Sequence, residues 1–376
     1  MTGVLSGLRI IEFAGLGPGP FCAMMLADHG AEVIRIDRIG AKNRVNDPTL
    51  RSRKSIALNL KNPESVEIAK TLVVTADGLI EGLRPGVMER LGLGPEDVMK
   101  DNPKLVYGRM TGWGQFGPYA SAAGHDINYI SLAGALHGIG RKGEKPVPPA
   151  NYLGDFGGGG MMLAFGMVSA FLAVSNGANG QIIDCAMTDG TAALTSAIWG
   201  LYNDGLWKDD RGVNLLDSGA HFYDTYETKD GKYISIGSIE PKFYALLLAL
   251  TGLSDDPQFA KQRDVLEWDE LSARLTKIFQ QKTRNEWCDL MEGTDVCFAP
   301  VLSLAEAPQH PHNVARQTFV DIGGHLQPAP APRFSEMPSE RPRQAPKAGA
   351  NTIEILASLG MSEAEIDNMR AKGVVG

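Results

Sequence analysis

A strand, a glycine- and proline-rich turn, a helix and a second strand follow one another within residues 8–38, and no other stretch restricts the fold as strongly. LRIIEF reads as a strand, AGLGPGP as the turn, FCAMMLADHG as a helix with Pro20 in its first turn, and AEVIRIDR as a strand returning parallel to the first. Such a βαβ unit needs neighbours of the same kind to bury both faces of its sheet. They follow: SIALNL (55–60) alternates apolar residues at period two, and Asn62, Pro63 and Glu64 supply a cap, a first-position proline and a first-turn acid for the next helix. Further strands are expected near 77–80 and 104–109, giving a mostly parallel sheet flanked by helices through about residue 190.

The pattern then changes. HFYDTYET and KYISIG flank a Lys-Asp-Gly turn at 229–231 and read as a hairpin, followed by helices at about 241–252, 268–280 and 283–292. The expected organisation is α/β: a Rossmann-like large domain (1–190), a linker (191–220), a smaller α+β domain (221–325), a proline-rich linker (326–344) and a last helical segment (345–376) that completes the large domain. The apolar stretch 161–174 is read as too short to span a bilayer, and no secretion leader is read at the N-terminus. Four dispersed cysteines without a CxxC spacing indicate neither a disulfide framework nor a zinc site. A formal net charge of −8 argues against nucleic acid and anionic membrane as partners, so an anionic ligand must find a local cationic patch.

Arg35, Arg38, Lys42, Arg44, Arg51, Arg53 and Lys54 form such a patch against only Asp37 and Asp47. Taken alone such a charge run reads first as a solvated surface loop, and with the rest of the sequence it suits a phosphate-rich ligand such as coenzyme A. The Gly15–Pro20 turn nearly imitates G-x-G-x-x-G, but proline at the sixth position and the arginines flanking Asp37 disfavour a nicotinamide cofactor. In Gly124-His125-Asp126-Ile127-Asn128-Tyr129, His125 is either a general base near neutral pH or, with Asp126, a helix cap. Asp155, followed by Gly157–Gly160, is either an ionised carboxylate and enolate site at a helix start or an N-cap beside packing glycines. The glycine cost in helix stability, about 1 kcal/mol each relative to alanine, favours the functional reading. Glu240-Pro241 reads alone as a cap with proline in the first turn. The methionines Met24, Met25, Met161, Met162, Met167 and Met187 suit either core or an adaptable acyl surface.

Taken together, GLGPGPFCAMMLADHGAEVIRIDR, RPGVMERLGLGPE (84–96), MTGWGQFGP, GHDINYISL, GDFGGGG, GSIEPKFY and EGTDVCFAPV (292–301) resemble the family III CoA-transferase superfamily over nearly the whole length, with GHDINY and GDF pointing to its racemase branch. The resemblance implies a cofactor-independent isomerase of lipid metabolism that interconverts the epimers of 2-methylacyl-CoA thioesters by proton transfer through an enolate. His125 and Asp155 would be its acid/base groups on opposite faces of the α-carbon. Glu240, from a partner subunit, would orient His125, and Asp126 would assist beside it. The implied coenzyme A site is Arg38, Ala57, Leu58, Asn59, Leu60, Glu81, Gly82, Leu83, Arg84, Arg90 and Gly124 to Tyr129, and the implied assembly an interlocked homodimer. Two departures stand out: Gly349-Ala350-Asn351-Thr352 where Gly-x-His-Thr is frequent, and His221, a candidate for altering the acyl pocket. The chain ends in Gly-Val-Val-Gly without Ser-Lys-Leu, so the cytoplasm is the expected location. The principal alternative is a family III CoA-transferase with Asp155 as nucleophile; an acyl-CoA-binding protein without turnover and a nicotinamide dehydrogenase are further alternatives.

Overall fold

The computed structural model describes residues 2–376, in two compact units. The first comprises residues up to 133, 150–194 and 317–376; the second comprises 134–149 and 195–316.

In the first unit the strands β1 (Arg9–Phe13), β2 (Glu32–Arg38), β3 (Lys54–Leu58), β4 (Gly78–Glu81), β5 (Val106–Thr111) and β6 (Ile182–Ala186) form one sheet in the order β3-β2-β1-β4-β5-β6, parallel throughout. Alternate residues feed opposite faces. Ile11, Ile34, Ile56, Leu58, Leu79 and Tyr107 pack with the Pro63–Val74 helix and with Ile355, Leu356 and Ile366 of the C-terminal helices. Ile10, Val33, Ile80 and Val106 pack with the Pro18–Asp28 helix and with Leu163 and Met167 of the long helix before β6. Burial on both faces is what the near-continuous apolar runs of these strands require.

The free edge of β3 is closed by the chain itself. The Ser55 N–H donates to the Asn351 side-chain oxygen (3.1 Å), the Ala57 N–H to Thr352 Oγ1 (3.1 Å), and the Asn59 N–H to the Val374 carbonyl (3.1 Å), while Gly376 N–H donates back to the Ala57 carbonyl (3.1 Å). The altered Gly349–Thr352 motif therefore satisfies a sheet edge that would otherwise present unpaired backbone groups.

The second unit holds the expected hairpin, β7 (Tyr223–Glu227) and β8 (Tyr233–Gly237), joined by a strand the sequence did not announce, β9 (Phe298–Val301), over a core of Phe222, Tyr226, Trp268, Phe279 and Trp287. The structure differs from the sequence reading in three places. The 134–149 segment and residues 195–220 belong to the second unit, and a short hairpin, β10 (Phe319–Ile322) with β11 (His325–Pro328), belongs to the first. The stretch 161–174 is part of a longer helix: the glycine run winds as a π-helix (Tyr152–Met161) that continues into Met162–Ser175, and among the described residues this is the one helix long and apolar enough to cross a membrane. His221, a candidate for altering the acyl pocket, is a core residue. It is buried in the second unit's core against Phe222, Tyr244 and Phe259, with Nε2 2.8 Å from the Tyr244 hydroxyl, and burial pushes its pKa down to about 4.

Candidate active site

Three segments of the first unit meet at the carboxyl ends of its strands, where ligands of open parallel sheets bind. The first is the glycine turn after β1. Gly17 has φ +65° and ψ −115°, a conformation open to glycine, and a Cβ there would lie 3.0 Å from Asp155 Oδ2. The missing side chain is what lets the turn lie against the carboxylate.

The second is the loop into the Asp126–Leu132 helix. His125 is its N-cap, exposed, with its own N–H held by the Asn128 side chain (3.0 Å). Gly124 is wedged under Tyr129 and Trp113, whose rings meet edge to face at 4.8 Å, and the Tyr129 hydroxyl donates to the Gly124 carbonyl. The histidine is thus mounted on a locked backbone with its ring in the open.

The third is the start of the long helix. Asp155 is half-buried inside the π-helical segment rather than at its cap. Its N–H, one of the orphan donors of the first turn, donates to Asp126 Oδ1 at 2.7 Å, and its own Oδ2 accepts from Asn151 Nδ2 at 3.1 Å. Asp126 is buried, adjoins His125 in the chain, and has its second oxygen without a hydrogen-bond partner among the described residues. It therefore ties the backbone that carries His125 to the backbone that carries Asp155. Burial, then the Asp126 charge, push the Asp155 carboxyl above the ordinary aspartate value, against the Asn151 hydrogen bond and the pull of His125.

The four glycines are spent on packing, which the sequence reading ranked second. A Cβ on Gly157 would come 3.1 Å from Leu194 Cδ1, on Gly158 2.7 Å from the Thr191 nitrogen, on Gly159 2.9 Å from Pro18 Cβ and on Gly160 2.7 Å from Phe21. The helix is squeezed between the Pro18–Asp28 and Met187–Leu194 helices, and that compression holds Asp155 against Gly17.

The basic patch is likewise dissected. Arg53 and Arg35 share the buried Glu12 carboxylate (2.5 Å each), Arg35 also meets Asp37 (3.0 Å), and Arg51 forks onto Asp28 (3.0 and 2.5 Å). Arg53 additionally donates to the Pro20 carbonyl (2.5 Å) and Arg35 more weakly to that of Gly15 (3.4 Å), so these cations brace the glycine turn from below. Lys54 pairs with Glu32 and Glu354, and Arg44 with Asp47. Of the seven, Arg38 and Lys42, both exposed, make no ion pair among the described residues, and Arg38 stands at the carboxyl end of β2. Ala57 and Leu58 are buried under the C-terminal segment, leaving Asn59 exposed and Leu60 half-buried. Glu81 is buried too, accepting from Arg109 Nε (3.1 Å) and the Leu83 N–H (2.7 Å), and burial pushes its pKa up to about 7; Gly82, Arg84 and Arg90 are exposed beyond it, with Leu83 half-buried. Glu240, in the second unit, is the exposed N-cap of the Pro241–Thr251 helix, without a side-chain cap bond.

Residues 5–352 match the model of CoA-transferase family III, and the chain belongs to that family. Among its relatives, the alpha-methylacyl-CoA racemases of Mus musculus and Homo sapiens are 45% and 42% identical to it, in each case over 99% of this chain and 97% of the relative. A solved CAIB/BAIF family protein from Brucella suis superposes with a TM-score of 0.84 at 25% identity, covering 96% of this chain and all of the other.

Proposed function

We propose that the protein is an isomerase of acyl-CoA thioesters that interconverts (2R)- and (2S)-2-methylacyl-CoA. The observation that carries the reading is the Asp126 tether: one buried carboxylate, adjoining His125 and bonded to the Asp155 N–H, relates the two acid/base groups through rigid backbone. An α-proton beside a thioester is weakly acidic, so a racemase needs one base to remove it, donors to hold the enolate oxygen, and a protonated group on the opposite face. An aspartate raised in pKa by burial is suited to alternate between base and acid. The first-turn N–H groups of the long helix other than that of Asp155, which Asp126 takes, are the donors we assign to the enolate. No cofactor enters this chemistry. Arg38, Arg84 and Arg90 are the side chains we assign to the coenzyme A phosphates, with Asn59, Leu60, Gly82, Leu83 and Gly124 to Tyr129 along the same carboxyl-end rim; Glu240 is assigned to orient His125 from a partner subunit.

The same reading carries a cytoplasmic homodimer. Supporting the dimer, the long helix presents Phe165 and Leu172 to solvent, at 73% and 62% exposure, which a partner copy would cover.

The test is to incubate one enantiomer of a 2-methylacyl-CoA in deuterium oxide and follow α-deuteration together with optical purity. Deuteration with loss of optical purity supports the isomerase. An inert α-proton, with CoA passing to an added carboxylate and Asp155 trapped by hydroxylamine, replaces it with the transferase reading.

A further inference from the structure

The helix after His125 ends at Leu132 and the helix carrying Asp155 begins at Tyr152, and the loop between them, 134–149, is built into the second unit although both helices belong to the first. Arg211 bridges the loop from the second unit's own chain, beside the ion pair of Lys142 with Asp269 (2.5 Å). Its Nε donates to the His137 carbonyl (2.8 Å) and one terminal nitrogen to the Glu144 carbonyl (2.7 Å), so a single guanidinium bonds both legs of the loop; the other terminal nitrogen lies 3.3 Å from His137 Nδ1. His137 Nε2 lies 3.2 Å from the Asp209 carbonyl, so a neutral ring protonated at Nε2 satisfies both contacts at once. Gly140 lets the Arg211 side chain pass, since a Cβ there would lie 3.1 Å from Arg211 Cδ, and at Gly212 a Cβ would lie 2.3 Å from the Lys142 nitrogen. Arg141 adds a fork onto Asp224 (2.6 and 2.8 Å) and a bond to Thr225 Oγ1 (2.9 Å).

The far end of this loop runs directly into the carboxylate's support. Ala150 sits at φ +51°, a left-handed conformation that an alanine holds only where its surroundings impose it, and the next residue is Asn151, whose side chain donates to Asp155 Oδ2. We infer that Arg211 is a positioning residue for Asp155: by stapling the loop it fixes the path through Ala150 to Asn151, and so the place from which the carboxylate meets the α-carbon. The inference rests on the proton-transfer reading above.

The experiment compares Arg211→Ala and Arg141→Ala with the wild type in two measurements. With a single enantiomer in deuterium oxide, Arg211→Ala is expected to lower kcat about tenfold, the scale of a sub-ångström misplacement, with KM changed less than about twofold. For the enantiomer whose α-proton His125 removes, the ratio of inversion to exchange with retention should also fall, because delivery by Asp155 is impaired while removal and return by His125 persist; for the other enantiomer it should rise. A general loss of folded protein would not move that ratio. Independently of any reaction, amide hydrogen exchange should quicken at 134–149 and at 151–156 in the variant. Arg141→Ala should shift both readouts in the same direction by a smaller factor, and decides the matter if Arg211→Ala does not fold. An unchanged ratio and unchanged exchange at 151–156 overturn the inference. A wild type without α-proton exchange, but with faster amide exchange at 151–156 in the variants, leaves the coupling standing and removes the racemase reading.

Discussion

Replacing Asp126 separates the two things its carboxylate does. It accepts the Asp155 N–H at 2.7 Å, and its charge helps to raise the Asp155 pKa. Alanine removes both. A buried N–H left without a partner costs about 1–3 kcal/mol, and if that loss is expressed in the transition state kcat/KM falls roughly 5- to 150-fold. Asparagine keeps an acceptor in place and removes only the charge, so its plateau rate should stay within about 10-fold of wild type. The sign of its pH effect follows from the cycle. Both directions of a two-base racemisation start from the pair carrying one proton, either on His125 or on Asp155, so both show the same bell-shaped profile. The acid limb records a second proton binding to the pair. Losing a neighbouring negative charge makes Asp155 harder to protonate, so Asp126→Asn should move the acid limb to lower pH in both directions alike. Rates of both enantiomers, followed by polarimetry across the pH range where the acid limb falls, test this. A limb that stays in place or moves to higher pH refutes the electrostatic role, and an asparagine variant as impaired as alanine refutes the tether.

Three further substitutions probe the frame. Glu12→Gln leaves Arg35 and Arg53 buried over a neutral partner and should cost about 3–5 kcal/mol, read as a lower denaturant midpoint; a stability within 1 kcal/mol of wild type would mean that water reaches the pair. Gly158→Ala drives a Cβ to 2.7 Å from the Thr191 backbone nitrogen and should destabilise by about 1–3 kcal/mol or more, with calorimetry as the check. Arg38→Ala, exposed and without an ion pair, should leave stability unchanged and raise KM for acyl-CoA about tenfold, equivalent to one lost charge-assisted contact of ~1.4 kcal/mol; titration with coenzyme A alone should show the same factor.

The parts legible in the sequence were those with local causes. Apolar periodicity and caps such as Asn62-Pro63-Glu64 placed β1 to β5 and the Pro63–Val74 helix within a few residues, because strand and helix periods are written in neighbouring positions. His125 and Asp155 were legible as motifs, and the structure brings both to the carboxyl end of one sheet. What failed were readings that depend on distant partners. Arg53 and Arg51 look like surface cations until Glu12 and Asp28, 41 and 23 residues upstream, are seen to lie under them. Gly157–Gly160 looked too costly for packing because Pro18, Phe21 and Thr191, which press on them, are far away in sequence. His221 is a core histidine because Tyr244 meets it from the following helix. The place of 134–149 in the second unit goes with partners that lie about seventy residues or more further on, Arg211, Asp224 and Asp269.

The central claim is that His125 and Asp155 serve opposite faces of one α-carbon, and the most direct measurement is α-deuterium wash-in with each pure enantiomer in the two single variants, His125→Ala and Asp155→Asn. Two opposed bases predict that each variant loses racemisation but still exchanges the α-proton of one enantiomer with retention, and that the enantiomer is different for the two variants. If either variant exchanges both enantiomers, or both variants exchange the same one, the two-face arrangement is contradicted.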